Sequence, residues 1–77
     1  MNETQTQYCI ALFKSVSHVL HAEKILKEAN VPHKIIPVPK KISSECGVCV
    51  RFLPEHSDEI RNTLYGKVEE FEIRKLP

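Results

Sequence analysis

The sequence has no tryptophan, two tyrosines and three phenylalanines, and none of these aromatics is interleaved with basic residues as a base-stacking surface requires. Charge of one sign is not in excess either. Eleven Lys and Arg against 10 Asp and Glu leave a net charge of +1, which gives no general attraction to nucleic acid or to a membrane surface. Long apolar runs are missing: the longest, Tyr8 to Phe13, is far short of the roughly 20 residues a membrane span needs. Residues 1–7 lack the basic start and apolar stretch of a secretory signal, so the expectation is a cytoplasmic chain. In that compartment its three cysteines stand as free thiols rather than staples.

What is present is an ordinary globular composition, 42% hydrophobic with 27% charged residues, which excludes a disordered chain. Seventy-seven residues are expected to form a single domain over residues 1–77. A domain this small buries only about 60% of its unfolded surface, so pairing as a homodimer would help it.

Residues 8–13 are continuously apolar, as suits a central strand. Ser15 and Ser17 are candidate N-caps for a helix from about Val16 to Asn30. Val19, Ala22, Ile25, Leu26 and Ala29 share one face of that helix, and Asn30 followed by Pro32 ends it. Residues 33–38 and 48–53 read as two further strands. Val48, Val50 and Phe52 fall on one face of the latter, with Cys49, Arg51 and Leu53 on the other. Pro54 sits near the start of a second helix anchored by Ile60 and Leu64 and closed by Gly66, and residues 67–74 give a last strand. The order β-α-β-β-α-β predicts an α+β, ferredoxin-like fold. Right-handed crossovers make it a four-stranded antiparallel sheet in the order 4-1-3-2, with two helices on one face.

That topology brings the long connection between the second and third strands to the end of the sheet where the first helix begins. The connection, from Pro37 to Cys49, holds two cysteines and two prolines and is polar between Pro39 and Cys46 apart from Ile42. Cys46 is its candidate reactive group. A helix N-terminus and nearby cations stabilise a thiolate, and here the candidates are the first helix, His18, Lys40 and Lys41. Gly47 lets backbone approach the sulfur and offers an unhindered N–H. The bland alternative is that Cys46 fills a place in the core, since cysteine is among the most buried residue types. Cys49 completes a Cys-x-x-Cys, but an offset of three in extended chain puts the two thiols on opposite faces unless the backbone turns at Gly47. His18 and His21 are an i,i+3 pair, yet a metal site there would need Cys46 and Cys49 as further ligands, so neither metal nor cofactor is expected.

The chain resembles the selenium/sulfur carrier-like family of small bacterial and archaeal proteins. The resemblance rests on Phe13-Lys14-Ser15 leading to His18 and the helix Ala22 to Lys27, on Ile36-Pro37-Val38-Pro39, and above all on Ser43-Ser44-Glu45-Cys46-Gly47. It implies handling of sulfur or selenium at Cys46, with Gly47 carried over and Ser43 and Ser44 as loop hydrogen-bonders. Lys40 stands where the family commonly has Arg, and Cys49 lies outside the pattern.

The resulting expectation is a carrier or accessory protein, rather than a stand-alone enzyme, that takes a persulfide or perselenide on Cys46. Its partners would be sulfur or selenium donor and acceptor proteins, not nucleic acid or membrane. The rival readings are a thiol redox or metal-binding module using Cys46 and Cys49, and a small interaction or regulatory domain with no chemistry.

Overall fold

The structure is a computed structural model that describes residues 7–42 and 46–76. Its elements follow the expected order: β1 (Cys9–Leu12), α1 (Val16–Glu28), β2 (Lys34–Pro37), β3 (Val48–Phe52), a 3₁₀ turn at Pro54–His56, α2 (Ser57–Leu64) and β4 (Glu72–Lys75). The strands form one sheet in the order β2-β3-β1-β4. β1 pairs antiparallel with both β3 and β4, and β2 pairs antiparallel with β3, so β2 runs parallel to β1. This is the predicted ferredoxin-like arrangement.

Ser15 is the cap that starts α1: its backbone is extended and its hydroxyl accepts the N–H of His18 at 3.3 Å. Val19, Ala22 and Leu26 are the buried stripe of the helix. At its other end Asn30 adopts a left-handed φ of 59°. The N–H of Val31 then bonds to Leu26 O at 3.0 Å and that of Asn30 to Lys27 O at 3.1 Å, the paired closure that a left-handed residue permits. After α2 the closure is different: Gly66, with φ 78°, takes the left-handed place in a turn where the N–H of Lys67 bonds to Leu64 O at 2.9 Å.

The helices cover one face of the sheet. There Cys9, Ala11, Val50 and Phe52 pack in a single apolar cluster with Val19, Leu26, Ile60 and Leu64. Ferredoxin-like sheets commonly leave the other face to solvent, but here Ile10, Leu12 and Cys49 form a second cluster with Ile36, Val38, Ile42 and Leu76 packed against it. β1 is therefore buried on both sides, which explains its unbroken apolar sequence.

The last strand begins later than its sequence indicates. Residues 67–71 are not strand: the N–H of Val68 bonds back to Leu64 O at 3.1 Å and Val68 is buried. Glu70, at a φ of 33°, then bends the chain before β4. Val68 thus reads as alternating strand in sequence but is spent on closing α2.

Candidate functional site

β1 leads directly into Ser15 and α1, while β3 runs the opposite way and begins just after Cys46 and Gly47. The register Ala11↔Val50 and Pro37↔Val48 sets the Cys46 end of β3 at the end of the sheet where α1 starts. The connection that arrives there is closed by the N–H of Val38 bonding to Gly47 O at 3.0 Å.

Within this connection Pro39, Lys40, Lys41 and Ile42 make a turn, with the N–H of Ile42 donating to Pro39 O at 2.9 Å. Lys40 and Lys41 are its exposed corner. Ile42 returns to the sheet and packs over Cys49 and its neighbours. Ser43 and Ser44 lie outside the described residues.

Cys46 is buried, with 3% of its surface exposed, and belongs to the helix-side cluster. Burial is what the core-filling alternative expects of Cys46, whereas a polar loop suits an exposed thiol. The burial follows from the strand's alternation: Cys46 stands two and four residues before Val48 and Val50, which face the helices, and its side chain takes the same side. Gly47 is exposed, and a Cβ built on it would meet nothing within 4 Å. The Gly47 carbonyl makes the bond that closes the connection.

Cys49 is fully buried in the cluster on the opposite face. Its thiol is pushed up to about 11, chiefly by burial and secondarily by repulsion from charge on Cys46. It is therefore a neutral thiol at physiological pH. Cys9 is buried against the helices, 3.9 Å from the hydroxyl of Ser57.

His18 is engaged at the start of α1. Its Nδ1 lies 2.6 Å from Ser15 Oγ, and its Nε2 lies 4.0 Å from Glu69. Lys14 pairs with Glu70, which holds that carboxyl below its ordinary range. Phe13 stacks on Phe71 with ring centroids 5.7 Å apart. The segment 69–71 is thus built onto the α1 end of the sheet, a neighbourhood that sequence reasoning missed. Residues 69–71 fall within the segment 67–74 that reads as strand; the chain bends at Glu70, where Glu70 meets Lys14 and Glu69 meets His18. His21 lies exposed on α1. Among the described residues no three His, Cys, Asp or Glu side chains form a group that could hold a metal ion.

A model of the family described as "Putative Se/S carrier protein-like" matches residues 8–76. The chain belongs to this family. No curated protein matches it, and no solved structure does. In this Se/S carrier-like chain the two residues of the Cys-x-x-Cys belong to different apolar clusters, Cys46 to the one under the helices and Cys49 to the one on the opposite face. Among the described residues of this Se/S carrier-like protein, no helix is long and apolar enough to cross a membrane.

Proposed function

We propose that the protein carries sulfur or selenium on Cys46 as a persulfide or perselenide, passing it between a donor and an acceptor protein. The observation that carries this reading is the unequal setting of the two loop thiols. Cys49 is fully buried on the far face, and burial raises its thiol to about 11, which disfavours the thiolate that a dithiol pair would need. One cysteine remains at the α1 end of the sheet, and the family match spans it.

In the proposed step the Cys46 thiolate attacks the terminal sulfur of a donor persulfide. A new S–S bond forms at Cys46 Sγ, the donor's S–S bond breaks, and the donor leaves as its thiolate. Delivery to an acceptor thiolate is the same exchange in reverse. The N-terminal end of α1 has no acidic residue in its own first turn, although Glu69 lies 4.0 Å from His18 there, and Lys40 and Lys41 stand exposed on the connection that holds Cys46. The helix end and the two lysines favour an anionic sulfur. Loading requires Cys46 to leave its place in the core, and Gly47, with open space around it, is the pivot for that movement.

The burial of Cys46 favours a second reading, in which the cysteine only packs and the domain serves as an interaction module. Peptide mass mapping after exposure to a donor persulfide separates the two. The carrier reading places one added chalcogen atom on the peptide containing Cys46; the packing reading leaves every peptide unmodified.

A further inference from the structure

At the other end of the sheet, Lys34 of β2 stands directly across from Arg51 of β3. Like charges placed opposite one another in an antiparallel pair destabilise it. Nothing acidic relieves this repulsion, because among the described residues no carboxylate pairs with either side chain. Arg74 is different. It lies in the same cross-strand row beyond Ile10, and it has Glu72 at 3.7 Å.

The Arg51 guanidinium is instead laid over the ring of Tyr8, 4.2 Å from its centroid. Stacking uses the flat face of the guanidinium and leaves its in-plane N–H donors unspent. Lys34 and Arg51 together line a concavity of about 180 Å³ whose apolar wall is Tyr8, Pro32, Phe52 and Leu53. His33, at its edge, is already fixed through Nδ1 to Val31 O at 2.7 Å.

From these features we infer an oxyanion-binding site at Lys34 and Arg51, for a small molecule carrying a phosphate or carboxylate group. A planar fork held by an aromatic ring and a mobile ammonium beside it supply complementary donors for such a group. The bound anion turns the Lys34–Arg51 repulsion into shared attraction. The apolar wall receives the carbon body of the ligand. The site lies away from Cys46 and stands or falls independently of chemistry there.

The test is titration of the ¹⁵N-labelled protein with inorganic phosphate, and separately with acetate, against chloride at matched ionic strength. The site predicts saturable amide shifts at residues 33, 34, 51 and 53 with at least one of the two oxyanions. Phosphate alone, or acetate alone, names the preferred group. Lys34→Gln and Arg51→Gln each weaken that binding tenfold or more. Without oxyanion and at low salt, Lys34→Gln unfolds at a higher denaturant concentration than the parent, because the repulsion is gone. Absence of saturable shifts at these residues with both anions overturns the inference, as does unchanged binding by both variants.

Discussion

Cys46 and Cys49, three residues apart, lie in separate apolar clusters on the two faces of the sheet. The pleat dictates this: residues at odd spacing in an extended chain point to opposite sides. An intramolecular disulfide would require the start of β3 to unpair from β2, where Pro37 faces Val48. Oxidation with a mild disulfide donor is therefore expected to leave the monomer without a Cys46–Cys49 bond. Mass mapping under non-reducing conditions checks this, and a stoichiometric internal disulfide would favour the redox module.

The three thiols are expected to differ in reactivity even though all are buried. Cys46 precedes β3 beside a glycine with open surroundings, whereas Cys49 is inside β3 and Cys9, the first residue of β1, is held between Phe52 of β3 and Lys75 of β4. Local opening at a strand end costs less than breaking a central ladder. Timed alkylation with peptide mapping should label Cys46 first and Cys49 last. Labelling of Cys9 or Cys49 ahead of Cys46 would remove the main support for a reactive loop thiol.

Cys49 also makes a prediction about pH. Its folded value of about 11 lies above the ordinary thiol value of 9.0, so the folded chain holds this proton more tightly than the unfolded one. The contribution to stability is complete below about pH 9 and is lost as pH rises to about 11. It amounts to about 3 kcal/mol over that window. Denaturant unfolding of Cys49→Ala between pH 8 and pH 11 should show a shallower decline than the parent. Parallel declines would mean that Cys49 ionises as easily when folded.

The Ser15 cap should matter to stability independently of any chemistry. Ser15→Ala removes the acceptor for the His18 N–H and the partner of its Nδ1, and is expected to cost about 1 kcal/mol. Ser15→Asp, which keeps a cap acceptor, should recover most of that loss. Chemical denaturation of the two variants measures both effects.

Much of this architecture was legible in the sequence because local signals agreed with one another. The apolar run at residues 8–13, the stripe from Val19 to Leu26 and the left-handed stop at Asn30 each have one physical reading, and the element order then fixes the sheet order. The site was less legible. Burial of Cys46 depends on which side of β3 the incoming chain takes, and polar loop composition does not disclose it. Likewise Ile42, a lone apolar residue between polar ones, is placed over Cys49 by the turn at Lys40 and Lys41, a tertiary closure that spacing does not encode. The Lys14–Glu70 and His18–Glu69 pairs join segments far apart in sequence, and they depend on a backbone bend that no composition rule announces.

The central claim is that Cys46 carries the chalcogen and that Cys49 does not take part. The most direct measurement incubates the protein with a cysteine desulfurase and cysteine, then records the intact mass without reductant. The account predicts one added sulfur on the parent, the same addition on Cys49→Ser, and none on Cys46→Ser. Loss of the addition in Cys49→Ser would transfer the chemistry to the cysteine pair, and a parent chain that never gains sulfur would contradict the carrier reading altogether.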